Sequence, residues 1–130
     1  MSLLKRLSAV AAIITAFSGF GGVAMASTDS AESVEACPGG IYGTWCALTV
    51  AAVNVRAQPT SQSQYIVTLP YQSWFSLDCW TTGESIHGDN VWYRGTYTDY
   101  ATSVPVAIDG WVTGYYLATG HDPAAPIGHC

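Results

Sequence analysis

Beyond residue 6 the chain contains no lysine, and its cations number two, Arg56 and Arg94. Charged residues make up only 10% of the sequence, against about 25% in an ordinary soluble domain. That scarcity excludes whole classes of partner. Nucleic-acid binding depends on cationic groups that replace phosphate counterions, and this chain has almost none to offer. Anionic membrane surfaces and teichoic-acid-like polymers are disfavoured for the same reason. No nucleic acid and no membrane are therefore expected among the partners.

Catalytic signatures are also missing. There is no Gly-x-Ser-x-Gly elbow, no phosphate-binding glycine loop, no His-Glu-x-x-His and no dinucleotide fingerprint. Neither Cys-x-x-Cys nor His-x-x-x-His spacing occurs, so His87, His121 and His129 read as exposed polar residues, and no metal or other cofactor is expected. Glu84, Asp89, Asp99, Asp109 and Asp122 fall in stretches that read as turns, where acids solvate and cap backbone. A non-enzymatic role is the expectation. Beyond residue 26, helical periodicity is absent over any ten-residue window.

What the chain does have begins with an address. Lys5 and Arg6 precede a mainly apolar stretch from Leu7 to Phe20, and Ala24-Met25-Ala26 supplies a small-x-small cleavage pattern. Ser8, Ser18 and Gly19-Phe20-Gly21-Gly22 interrupt the apolar run, which suits a signal peptide better than a spanning helix. Cleavage after Ala26 leaves 104 residues in which two arginines face nine acids, a net charge of −7. The residue directly after the cleavage point is Ser27 rather than cysteine and no anchor signal closes the chain, so export without covalent retention is expected. The charge favours a cationic or amine-bearing partner.

Cys37, Cys46, Cys79 and Cys130 all lie beyond the leader. An even number in an exported chain reads as two disulfides, with three possible connectivities. Spacing favours Cys37–Cys46, which brackets turn-rich Pro38-Gly39-Gly40-Ile41-Tyr42-Gly43, and leaves Cys79 for Cys130.

Residues 27–45 read as a flexible acidic leader and a small disulfide loop, with the structured domain over 46–130. Val53 and Val55 alternate with Asn54 and Arg56 in the strand period. Tyr65 to Leu69, Trp74 to Trp80, Val91 to Tyr97 and Trp111 to Thr113 are further strands. Between them lie a long turn over Thr81 to Asn90, a loop over Thr98 to Ala107 and a tight turn at Asp109-Gly110. Gly114 to Leu117 is expected to form a turn or a single helical loop. Short strands divided by Gly, Pro, Asn and Asp argue for a small barrel or sandwich.

Four pieces in order carry a resemblance: Val53-Asn54-Val55-Arg56 with Pro59; Leu77-Asp78-Cys79 with Gly83 to Gly88; Trp92-Tyr93; and Gly110-Trp111-Val112-Thr113 with Tyr116-Leu117. Together they resemble the bacterial SH3-like domain of exported actinobacterial proteins, over about residues 46 to 130. The chain departs from that pattern at Gln58 and at Tyr71-Gln72-Ser73, where the family has glycine, and Thr98 to Ala107 looks like an insertion. The resemblance implies an all-β fold, a small SH3-like barrel of five to six short antiparallel strands. Its cysteine-ended tail supports a Cys79–Cys130 bond. It also implies cell-wall or protein binding, most directly of the peptide part of peptidoglycan; the charge keeps open a secreted binding or inhibitory module for a cationic extracellular protein, and a monomer is expected in either case.

Fourteen aromatic residues remain after the leader, more than a small core needs. Alternation that turns Phe75 inward turns Trp74 and Trp80 outward. With Tyr97, Asp99 and Tyr100 they form the candidate ligand-binding set, since rigid rings hold peptide or sugar at low entropic cost.

Overall fold

The computed structural model describes residues 33–130, save 40, 42 and 102. The segment read as a signal peptide, and the acidic stretch up to residue 32, lie outside the described residues. The fold is all-β, with seven strands: β1 (Glu35–Ala36), β2 (Trp45–Leu48), β3 (Val53–Arg56), β4 (Tyr65–Leu69), β5 (Trp74–Ile86), β6 (Asp89–Asp99) and β7 (Val106–Thr113). A 3-10 turn over Gly114–Tyr116 follows. Every pairing between strands is antiparallel, and they form one sheet in the order β1-β2-β5-β6-β7-β3-β4. Its end strands β1 and β4 are not paired to each other, so the barrel stays open while remaining compatible with an SH3-like fold.

β1 begins the ordered structure earlier than position 46, because Glu35 and Ala36 pair with Cys46 and Trp45 across the small disulfide loop. Both expected bonds are present, Cys37–Cys46 and Cys79–Cys130. Disulfides persist in oxidising compartments. No helix among the described residues is long and apolar enough to cross a membrane.

The middle strands are longer than the sequence suggested. β5 runs on through Ile86 and β6 starts at Asp89, so the long turn expected over residues 81–90 shrinks to His87-Gly88. Both residues have positive φ, 51° and 90°, the mirror-image turn that matches strand twist. Likewise the β6–β7 ladder continues to Asp99 opposite Val106, leaving a short loop where an insertion was expected. Asp109-Gly110 is not a turn but part of β7; Gly110 lies opposite Gly95, and the Asp109 carboxylate accepts the Thr96 hydroxyl at 2.7 Å. In each case the turn-forming residues sit inside a paired strand because tertiary pairing overrides a local preference.

The core gathers Phe75, Leu69, Val55, Val112 and Tyr93 around the concave face, none of them measurably exposed. The tail belongs to it: Ala124 and Ile127 are buried in the same cluster. Trp80 N–H donates to the Gly128 carbonyl and Cys130 N–H to that of Trp80, so the last residues lie beside β5. The Cys79–Cys130 bond fixes them there.

Candidate functional site

None of the five aromatic and acidic candidates lines the three grooves described below. Trp74 opens β5 opposite Leu48, half-buried. Trp80 does not face outward. A bulge between Leu77 and Cys79 inserts one residue, so Leu77 lies opposite Gly95, Cys79 opposite Arg94 and Trp80 opposite Tyr93. Facing residues share a side of the sheet, and the bulge therefore turns Trp80 onto the core, where its ring meets His129 edge-on at 4.4 Å. Tyr97 also packs against the core. Asp99 accepts the Ala101 N–H at 2.8 Å and so shapes the β6–β7 loop. Tyr100, in that loop, is exposed.

A different part of the molecule carries concave surface. Residues 57–64 form a loop closed on itself by the Ser63 hydroxyl, which donates to the carbonyls of Thr60 and Gln58 and accepts the Gln58 N–H. Glu84, near the tip of β5, clamps this loop. Its Oε1 accepts the Ser61 N–H and hydroxyl, both at 2.7 Å, and the Thr60 hydroxyl at 3.0 Å. Gly83 makes the approach possible, since a Cβ there would overlap the Pro59 carbonyl oxygen. The bonds from Ser61, then Thr60, hold the Glu84 carboxyl below its ordinary range. The clamp is therefore present at neutral pH and is lost only as pH falls through that lowered value. Beneath the clamp lies Trp92, 2% exposed, with its indole N–H bonded to the Glu84 carbonyl at 2.8 Å.

Beside the clamp, an aromatic ridge links the β5–β6 turn to the 3-10 turn. The ring centroids of His87 and Tyr115 are 4.8 Å apart, and those of Tyr115 and Tyr116 are 4.9 Å apart. The Thr113 hydroxyl accepts the Tyr115 N–H and caps the 3-10 turn, fixing the two tyrosines. His87 sits in the left-handed region, which disfavours side chains and recurs at functional positions. Tyr115 is 43% exposed.

The ridge divides two grooves. The larger, about 530 Å³, runs past Gly88, Asp89, Tyr115, His121 and Asp122. The smaller, about 270 Å³, is lined by Val53, Arg56, Ser61, Ile86, Trp92 and Tyr116. A third concavity, between Trp45, Asp78 and Pro126, lies against the small disulfide loop and the tail. Neither ridge groove was legible as such in the sequence, although His87-Gly88 between alternating residues was an available hairpin signal.

A polar network forms the floor of the larger groove. The Tyr93 hydroxyl donates to Asp122 Oδ1 at 2.7 Å and accepts the Ala124 N–H at 2.8 Å; Thr119 donates to the same Oδ1 at 2.7 Å. Asp89 lies close enough to Asp122 that a shared proton favours its neutral form. Asp122 Oδ1 accepts two hydroxyls, and the Oδ1 of Asp89 accepts the Val91 N–H. Burial, then the bond to Asp122, raises the Asp89 carboxyl to about 6. Burial, then Asp122, also pushes the Tyr93 phenol well above its ordinary value, so it remains a donor.

The sign of the pH effect follows. An acid raised in the fold from 3.8 to about 6 adds stability that is full below 3.8 and lost as pH rises through about 6. Asp89→Asn keeps an acceptor for Val91 and a donor for Asp122 without the titration. Its melting temperature is expected to exceed that of the parent at pH 8 and to match it at pH 4. A parallel offset at both pH values would contradict the shared proton.

No cluster of three or more His, Cys, Asp or Glu side chains able to hold a metal occurs among the described residues. The arrangement is suited to contact with a ligand, through rings, one guanidinium and a proton-sharing acid pair.

No family model matches the chain. It is 27% identical over 131 residues to Uncharacterized protein YraI of Bacillus subtilis strain 168, and the match covers 97% of each chain. The likeness thus extends over both the N-terminal segment and the sheet, and it brings no activity with it.

Proposed function

We propose that this protein is an exported, non-catalytic binding module of the bacterial SH3-like type, which recognises the peptide part of cell-wall peptidoglycan. The observation that carries the proposal is the exposed His87–Tyr115–Tyr116 ridge with a groove on either side. Rigid rings beside concave surface give an extended peptide contact area at little entropic cost. The grooves differ in charge, with Asp89 and Asp122 on one side and Arg56 on the other. Such a pair of neighbours suits a ligand bearing both amines and carboxylates, as stem peptides do. Two disulfides and the leader-like N-terminus support an extracellular setting.

The net charge of −7 beyond the leader supports a second reading, in which the partner is a cationic extracellular protein. Retention of the oxidised protein on purified peptidoglycan across a salt series separates the two. At ~0.5 M salt the Debye length falls to a few Å, so retention that persists supports groove binding and retention that collapses supports bulk electrostatics. Tyr115→Ala is expected to lower retention about tenfold, as removal of a central aromatic contact does. The same change is expected to leave the melting temperature unchanged within a degree or two, since the ring is already solvent-exposed. Undiminished retention in this variant would remove the ridge from the site.

A further inference from the structure

We propose that the smaller groove is a carboxylate-reading subsite anchored by Arg56, so that the module prefers peptides ending in a free carboxylate to the same peptides amidated. The inference rests on the peptide-binding reading above. Arg56 is one of only two cations beyond the leader, in a chain with nine acids. In such company a guanidinium is expected to be neutralised by a neighbour, yet no described carboxylate closes an ion pair on it. Its Nη1 donates to the Ser63 carbonyl at 3.1 Å. Glu84 feels Arg56 only weakly beside the hydrogen bonds it already accepts from Thr60 and Ser61. The remaining guanidinium donors form a planar fork suited to a carboxylate.

The surroundings make that fork selective. β3 carries an irregularity between Val55 and Arg56, and Arg56 lies opposite Trp111 of β7, so backbone register aims the side chain. The groove it borders has a floor of buried Trp92 and walls of Val53, Ile86 and Tyr116. Asn54, Ser61 and Thr113 also belong to the lining, and its apolar part weakens competition from water and strengthens a charge-assisted hydrogen bond. The volume, about 270 Å³, accommodates a terminal residue rather than a long segment.

The test compares Lys-D-Ala-D-Ala with its C-terminal amide, titrated into the oxidised protein and followed by NMR. Bulk electrostatics favours the amide, the more cationic ligand, on a protein of charge −7. A carboxylate subsite reverses that order. The free acid is expected to bind about tenfold more tightly, the value of one charge-assisted hydrogen bond. Arg56→Gln is expected to abolish the difference with the amide's affinity retained. Should the loss of the Ser63 contact loosen the loop in that variant, Arg56→Lys keeps the charge without the fork, and the preference is expected to shrink to a few-fold. Equal affinities of acid and amide for the parent protein would overturn the subsite while leaving peptide binding in place. A sodium acetate titration reads the subsite without any peptide. Saturable shifts of the Arg56 Nε–H and Trp92 indole resonances would uphold it even if neither peptide bound, a result that would instead defeat the peptide-binding reading. Absence of those shifts would overturn it.

Discussion

Replacing Cys79 and Cys130 together by serine is expected to cost about 4 kcal/mol, the loop-closure entropy of a cross-link spanning 51 residues. For a domain of this size that corresponds to a fall in melting temperature of roughly 15–30 °C. The same exchange at Cys37 and Cys46, separated by 9 residues, is expected to cost nearer 2.5 kcal/mol. The structure argues for the same ranking on separate grounds. The long cross-link holds the tail whose Ala124 and Ile127 complete the core and whose Asp122 anchors the buried Tyr93 hydroxyl. The short one closes a surface loop beside β1, a strand of two residues. Thermal unfolding by circular dichroism ranks the two variants. Trp80, in contact with His129 next to Cys130, gives a local fluorescence signal for release of the tail. A larger loss from the short loop would mean that chain entropy is not what the long bond contributes.

The parts of this fold that were legible in the sequence are those governed by local chemistry. Alternation at Val53 to Arg56 pointed to β3, Gly114 to Leu117 was expected as a turn or single helical loop where the 3-10 turn lies, and cysteine spacing favoured the pairing that is present. The departures have a common physical source in long-range pairing. Thr81 to Ile86 contains Gly83 and polar residues, yet it extends β5 because Val91 and Trp92 lie opposite and Pro59 covers it. Gln72, at a turn where the resemblance led to an expectation of glycine, takes a φ of 60° as glycine would, held by its N–H bond to the Thr49 carbonyl.

The face assigned to Trp80 was reversed for the same reason. Period-two alternation counts residues, and the extra residue at the Leu77–Cys79 bulge reverses the face of everything beyond it. Trp80 was therefore assigned to solvent when it faces the core. The ridge residues were individually unremarkable in the sequence, since His87 and Tyr115 are 28 positions apart and meet only through the β6–β7 register and the turn that follows it. What composition did convey was the surplus of rings and the scarcity of cations, and both features reappear at the two grooves.

Gly95→Ala is expected to abolish the folded state or reduce its stability by more than ~3 kcal/mol, the range reached when overpacking meets immovable backbone. A methyl group at position 95 would overlap the Ser76 carbonyl oxygen and press on the ring of Phe75. Neither neighbour can yield easily: Ser76 is paired with Thr96 in the ladder, and Phe75 is fully buried. The absence of a side chain lets β5 and β6 approach closely where the bulge begins, and Gly110 faces Gly95 across the next ladder. This crossing lies at the base of the hairpin whose tip carries His87 beside Tyr115 and Asp89 beside Asp122. Its registry therefore governs both grooves, and a partly folded Gly95→Ala chain is expected to lose ligand retention as well as stability. Gly128→Ala is the matching control, because a Cβ there meets nothing within 4 Å, and it is expected to change stability by less than about 0.5 kcal/mol. Soluble yield and thermal unfolding decide the matter. A Gly95→Ala protein that melts within a few degrees of the parent would show that β5 and β6 can separate at this crossing without cost to the fold.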